Sequence, residues 1–259
     1  MARKMKVAIC IRIKPMNNRQ KIILSLIALA LLTVTALGLF FGKKVLAYLR
    51  TWTEGRNKAV YDYIRNPDAH RDWELPALYQ CPNAPFALPT SGFIGYFYGD
   101  SFTPLKLHTG LDIFGGNPVG VTPIYAPYDG FLTRESDWKS SVIIRIPEDP
   151  LDPSRQIWVY MTHLADVDGN PLIDDAFPAG THEKPVKKGD LIGYQGNYSG
   201  YPGSPTGIHL HISIVKDDGE GHYLNEMQIS NTIDPSAYFG MQLHADKVDK
   251  NDKRPLCQP

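Results

Sequence analysis

Twenty predominantly apolar positions follow one another without a charge from Ile22 to Phe41 and read IILSLIALALLTVTALGLFF. At 1.5 Å per residue such a run makes about 30 Å of helix, the thickness of a bilayer core. Arg3, Lys4, Lys6, Arg12, Lys14, Arg19 and Lys21 precede it, whereas Lys43, Lys44 and Arg50 follow closely. That bias places residues 1–21 in the cytoplasm, residues 22–41 across the membrane and the rest outside. Small residues at Val34-Thr35-Ala36 and Val45-Leu46-Ala47 also allow a cleaved signal peptide and a secreted product. The retained anchor is the reading adopted, because the run exceeds the 7 to 15 residues or so of a secretory apolar region.

Beyond the anchor the pattern changes twice. In residues 42–81, apolar Val45, Leu46, Leu49, Trp52, Val60, Tyr61 and Ile64 recur at partly helical spacing, which predicts a stalk or linker with a helix in it. A lone amphipathic helix packed on the following domain fits the same spacing. Asn66-Pro67-Asp68 should end the helix, since a residue before proline is driven out of the α region. Residues 82–245 then alternate short β-branched and aromatic runs with Gly, Pro, Asn and Asp, which predicts a mainly β domain of antiparallel sheet with long loops. Strands are expected near Gly92 to Tyr98, Pro123 to Glu135, Ser141 to Ile146, Gln156 to Leu164, Asp190 to Gln195 and Ile208 to Val215. The glycine-rich stretch from Gly193 to Gly203 lacks the Gly-Lys-Ser/Thr ending of a phosphate loop. A polar tail, residues 246–259, closes the chain.

Composition adds limits. With 43% hydrophobic and 21% charged residues in 259 positions, the chain has material for one well-cored domain besides the anchor. Lys+Arg and Asp+Glu number 27 each, so no electrostatic footprint for nucleic acid exists. The cysteines are Cys10, Cys81 and Cys257, with no C-x-x-C pair, so a metal must be held by nitrogen and oxygen. Outside the cytosol Cys81 and Cys257 are free to form a disulfide or to remain two thiols, while Cys10 stays reduced inside.

Candidate chemistry concentrates in histidines. Strict alternation in Ile208-His209-Leu210-His211-Ile212-Ser213-Ile214-Val215 puts His209, His211 and Ser213 on one face of a strand. The two imidazoles lie about 6.6 Å apart along it. Both could bind one metal, or one could bind while the other reaches the metal's water. A hundred residues earlier, His108-Thr109-Gly110-Leu111-Asp112 offers an imidazole and a carboxylate in what reads as a tight turn. Three ligands from His, Asp or Glu with one open position is the donor set of a catalytic zinc. In Ile157 to Leu164, alternation puts His163 on the face of Val159 and Met161, either as a satisfied core residue or turned into a cleft. Sites of the metallo-β-lactamase or cupin kind would want an acidic residue within Ile212 to Lys216, which is absent.

These residues resemble the lysostaphin-like (LytM-type) zinc endopeptidases that cut peptide bridges in bacterial cell walls. The resemblance runs from about Gly92 to Val215. It rests on His108 to Asp112 with Ile113, the Ala126-Pro127-Tyr128-Asp129-Gly130 hairpin, His163-Leu164, Lys188-Gly189-Asp190-Leu191-Ile192-Gly193 and Thr206-Gly207-Ile208-His209-Leu210-His211. It implies a LytM/lysostaphin-type domain whose long loops form a groove, one zinc ion held by His108, Asp112 and His211, and His163 and His209 as the non-ligand catalytic pair. The family's usual proline is Ile208 here, and its tyrosine two residues before the catalytic histidine is Met161, with Tyr160 one place off. The insert between His163 and Lys187 is long. The implied function is a membrane-anchored, extracytoplasmic zinc metalloendopeptidase hydrolysing peptide cross-links of peptidoglycan in cell-wall remodelling. The alternative is a non-catalytic relative that binds the wall or activates a partner hydrolase, and a secreted protein substrate is a third reading.

Without an H-E-x-x-H glutamate, the proton of the attacking water must go to an imidazole, His163 or His209. Ligand imidazoles must be neutral to bind metal, so activity should fall below about pH 6, and a flat rate from about pH 5 to 8 would contradict this. His70, His182, His222 and His244 lack any motif and read as surface residues. Asn197-Tyr198-Ser199 is an incidental match to a glycosylation acceptor.

Overall fold

The computed structural model describes residues 17–53, 55–100, 106–249 and 252–259. The basic stretch from Arg3 to Lys14, and Cys10 within it, lies outside them. The chain divides into two units, Met1–Arg50 and Thr51–Pro259.

Helix α1 (Asn18–Thr53) takes in the whole apolar run. Its start is a reciprocal cap. The Asn17 side chain accepts the Gln20 N–H at 2.9 Å, and the Gln20 side chain accepts the Asn17 N–H at 3.1 Å. Asn18–Thr35 is long and apolar enough to cross a membrane, and its side chains are uncovered, with Leu31 at 62% and Leu32 at 68% exposure. Such a helix suits a membrane anchor or a signal sequence alike.

The second unit begins with α2 (Gly55–Arg65), which ends at the residue before Asn66-Pro67, followed by a 3₁₀ segment, Pro67–Trp73. Ala59, Val60 and Tyr63, at helical spacing, are buried against Phe93 and Phe114. The segment is therefore a helix packed on the sheet, one of the two arrangements its periodicity allows.

The strands are β1 (Phe93–Tyr96), β2 (Leu111–Phe114), β3 (Pro123–Tyr125), β4 (Gly130–Thr133), β5 (Val142–Ile146), β6 (Ile157–Thr162), β7 (Lys184–Val186), β8 (Leu191–Tyr194), β9 (Gly196–Tyr198), β10 (Pro205–Lys216) and β11 (Thr232–Ile233), before the short α3 (Ser236–Phe239). The main sheet runs β1-β2-β10-β6-β5-β4-β7, with β9 and β11 also on β10, and β3 and β8 form a second, two-stranded sheet. Among the described residues every strand pair is antiparallel. The fold is mainly antiparallel β, as the alternation predicts.

Two details differ from the sequence reading. Pro123 to Glu135 is two strands rather than one, and the Ala126 to Gly130 turn is not a hairpin. β3 pairs with β8, while β4 pairs with β5 and β7. Ala126-Pro127 carries the chain from one sheet to the other, and the Ala126 N–H donates to the Asp190 carbonyl at 2.9 Å. The long insert after His163 also contributes a strand of its own, β7.

The alternation of β10 sets the layers. Leu210, Ile212 and Ile214 are buried in the main core with Leu111, Ile113, Val159 and Met161, each contributing about 1.5–3 kcal/mol from removal of its apolar surface from water. Ile124, Ile192, Phe86, Phe239 and Met241 belong to the same core. The opposite face carries the histidines.

Cys81 is bonded to Cys257, 176 positions apart, with the Cα atoms separated by 5.4 Å. The tail is further held by Gln258 N–H donating to the Gly240 carbonyl at 2.7 Å. A bridge closing so long a loop restricts the unfolded chain strongly, and such bridges contribute about 2–5 kcal/mol. Cys81→Ser should therefore lower the free energy of unfolding by that amount in a denaturant titration, and an unchanged midpoint would show that the bridge contributes nothing.

Candidate functional site

β10 lies between β2 and β6, in a register that pairs His211 with Asp112 on one side and with Thr162 on the other. Side chains directly opposite each other in an antiparallel pair are about 5 Å apart at Cβ, so this register alone brings His211 to Asp112. Asp112 sits on β2 rather than in the expected turn, and only His108, Thr109 and Gly110 of the motif precede the strand as loop. Gly110 allows that loop to lie close to β10. A Cβ there would come 2.1 Å from the carbonyl oxygen of Ile212.

His108, Asp112 and His211 meet. His108 Nε2 is 3.0 Å from Asp112 Oδ1 and 3.0 Å from His211 Nδ1, and His211 Nδ1 is 2.8 Å from the same Oδ1. All three residues are buried, as is His209. The protonation pattern follows from the outer partners. His108 Nδ1 lies 3.0 Å from the Phe97 carbonyl oxygen, which can only accept. In the neutral ring the proton is then on Nδ1, and Nε2 presents a lone pair toward a carboxylate oxygen. Acceptors facing each other at this distance need a cation or a proton among them. Two imidazole nitrogens and a carboxylate oxygen thus lie within 3.0 Å of one another, the donor types of a catalytic zinc site, so the donor set fits zinc.

The electrostatics agree with a carboxylate built into a cationic setting. Burial would raise the Asp112 pKa, but the neighbouring imidazoles of His108, His209 and His211 hold it well below the usual carboxylate range. Burial disfavours the charged His108 ring, yet the Asp112 carboxylate, the Phe97 carbonyl and Asp100 together outweigh it and the net shift is upward.

The other two histidines stand beside this centre. His209 Nε2 is 3.6 Å from Asp112 Oδ1, its Nδ1 is 2.6 Å from the Gly207 carbonyl oxygen, and its ring stacks on Phe114 at 4.9 Å. α2 packs over Phe114 and so backs His209. His163 Nδ1 is 2.7 Å from the Tyr198 carbonyl oxygen, and the His163 and His209 ring centres are 4.4 Å apart. The side chain of His163 is in the cleft, not on the face of Val159 and Met161 where strand alternation would put it. Its backbone is left-handed, with φ 73°, so the strand ends at Thr162 and the next residue turns back toward the histidine face. Burial, and after it the charge of His209, push His163 down to about 3. His209 is shifted down as well, again chiefly by burial. Both rings are therefore neutral near pH 7, with Nε2 lone pairs free to accept a proton.

The cleft over these residues has a volume of about 690 Å³. Val60 and Ile64 of α2 line one part of it, and Ser141, Tyr160 and Thr162 another. The Ser141 hydroxyl is 2.9 Å from Tyr160 and 2.7 Å from Thr162. Tyr160 and Thr162 follow from strand alternation opposite Met161, so this polar patch was legible in principle. Glu226 was not. It lies in a loop without a motif, 3.8 Å from His211 Nε2. Among the other histidines, His182 and His222 are exposed, while His70 is half-buried and stacks on Trp73 at 4.0 Å and His244 is half-buried beside Tyr98 at 5.4 Å.

A mainly antiparallel β-sheet with a His, Asp, His donor cluster in a cleft is thus the class that fold and site define. No protein-family model matches the chain, and no curated protein matches it. Solved structures similar to it include the catalytic domain of the prophage-encoded M23 protein EnpA from Enterococcus faecalis (21% identity, TM-score 0.34, 58% of this chain and 96% of that one) and lysostaphin (24% identity, TM-score 0.34, 55% and 48%). Helicobacter pylori Csd3 is similar at 19% identity and TM-score 0.37, over 60% of this chain. This chain spans about a third of Csd3 and about half of lysostaphin. The likeness is to LytM-type, M23 peptidases.

Proposed function

We propose that the protein is a membrane-anchored, extracytoplasmic zinc metalloendopeptidase that hydrolyses peptide cross-links of peptidoglycan. The observation that carries this reading is the convergence of five side chains from three parts of the chain on one cleft. His108, Asp112 and His211 would hold the ion, and His163 and His209 stand beside it as neutral bases. Zinc, when bound, supplies a Lewis acid that polarises a carbonyl and lowers the pKa of water to about 7. Asp112 supplies the negative charge that holds a cation in a buried place. His209, held by the Gly207 carbonyl, and His163, held by the Tyr198 carbonyl, each turn Nε2 inward to take a proton or to donate one to a developing oxyanion.

The wall as substrate is supported by the sequence motifs shared with LytM-type enzymes. An extracytoplasmic site is supported by the Cys81–Cys257 bridge, which persists in an oxidising compartment. The cytoplasmic N-terminus follows from the basic residues ahead of α1.

The full chain in detergent, loaded with zinc, should release soluble fragments with new amino termini from purified peptidoglycan, and a chelator should stop the release. Zinc-loaded protein that sediments with the wall and cuts nothing would favour the non-catalytic relative instead.

A further inference from the structure

Three of the four imidazoles in the cleft are pinned in the same way. His108, His163 and His209 each turn Nε2 inward and place Nδ1 on a backbone carbonyl, that of Phe97, Tyr198 and Gly207 respectively, at 3.0, 2.7 and 2.6 Å. His211 is reversed. Its Nδ1 faces Asp112 and His108, so its Nε2 points away from the centre. β10 is paired on both sides at His211, and its neighbouring carbonyls are committed to the β2 and β6 ladders. The outer nitrogen of this ring is therefore left to a side-chain or water acceptor.

Glu226 is placed to be that acceptor, with its Oε2 3.8 Å from His211 Nε2. The same oxygen accepts a hydrogen bond from the Thr109 hydroxyl at 3.3 Å, and Thr109 follows the ligand His108 in the chain. One carboxylate, with a side chain only 19% exposed, therefore touches both segments that carry the candidate ligands. The 3.8 Å separation is a charge-pair distance, about 0.8 Å longer than a direct hydrogen bond, and a bridging water or a small rotation of Glu226 spans it.

We infer that Glu226 is a positioning residue for the metal centre, holding His211 in the tautomer with Nδ1 unprotonated and fixing the ring's orientation. The inference rests on the zinc reading of His108, Asp112 and His211. A histidine that binds a metal ordinarily gives its other N–H to a carboxylate or carbonyl, and loss of that partner weakens metal binding about 10–100-fold. Together Asp112 and Glu226 also supply two negative charges to a divalent ion in a buried place.

The test is competitive zinc titration of the full chain in detergent against a chromophoric chelator, for the unaltered protein, Glu226→Gln and Glu226→Ala, with imidazole ¹⁵N shifts to read the His211 tautomer. Circular dichroism of the zinc-free proteins checks that each variant folds. Glu226→Ala should raise the zinc Kd about 10–100-fold and mix the His211 tautomers. Glu226→Gln keeps an acceptor oxygen and should recover part of the affinity. An unchanged Kd with a single tautomer in Glu226→Ala would overturn the positioning role. So would an unchanged Kd with cleavage lost in Glu226→Gln, because Glu226 would then act on the reacting groups and not on His211. Failure of the unaltered protein to bind zinc would instead overturn the metal reading, and this inference with it.

Discussion

On the proposed reading, replacing His163 by alanine should leave the protein with one zinc per chain and lower cleavage of peptidoglycan peptides about 10²–10⁴-fold, the usual contribution of a general acid or base. His163 touches none of the three donor atoms closely. Its nearest ring neighbour is His209 at 4.4 Å, and the His211 ring is 6.5 Å away. Metal content and turnover should therefore separate in this variant, a split that zinc analysis beside a fragment-release assay reads directly. Loss of zinc together with activity would mean that His163 holds the centre and does not act on the substrate. The position also makes the expected acid limb diagnostic. With the His163 pKa pushed down to about 3, chiefly by burial, this base stays neutral well below pH 6. The fall in activity below about pH 6 then has to accompany zinc release, as protons compete for the ligand imidazoles. Activity lost while zinc stays bound would contradict that assignment.

Asp112→Ala should have the opposite signature and the larger effect on the metal. It removes the carboxylate that meets His108 at 3.0 Å and His211 at 2.8 Å, and leaves two imidazole nitrogens facing each other with no negative charge between them. Zinc affinity should fall by more than the 10–100-fold or so that loss of an outer hydrogen-bond partner costs, and cleavage should vanish at micromolar zinc. A ligand that binds only the native state stabilises it by RT ln(1 + [L]/Kd), about 2.7 kcal/mol at a hundredfold excess over Kd. Added zinc should thus raise the melting temperature of the unaltered protein and not that of Asp112→Ala. An equal rise in both would place the ion elsewhere.

Much of this centre is legible in the sequence alone. Alternation in Ile208 to Val215 already put His209 and His211 on one face, because side chains on a strand alternate with a period of two residues whatever the strand packs against. The β texture of residues 82–245, the helix stop at Asn66-Pro67 and the apolar run of α1 are likewise local properties, set by backbone sterics and by the cost of exposing apolar side chains. His108 and Asp112 were found through their motif, although the turn expected there is a loop leading into β2, since pairing with β10 outweighs the turn propensity of Thr109-Gly110.

Other features depend on contacts between distant parts of the chain. Which histidine of the H-x-H pair meets Asp112 is decided by the β2–β10 register, and a slip of one residue would send both imidazoles into the core. His163 reaches the cleft through one left-handed residue, held by the Tyr198 carbonyl 35 positions later, against the face its alternation assigns. The pairing of Cys81 with Cys257 and the approach of Glu226 to His211 are of the same kind. Period and propensity act over a few residues and so are written in the sequence itself. Register, a reversed ring and a carboxylate arriving from a motif-free loop are fixed only when the core has closed, because the packing energy that selects them is shared by the whole fold.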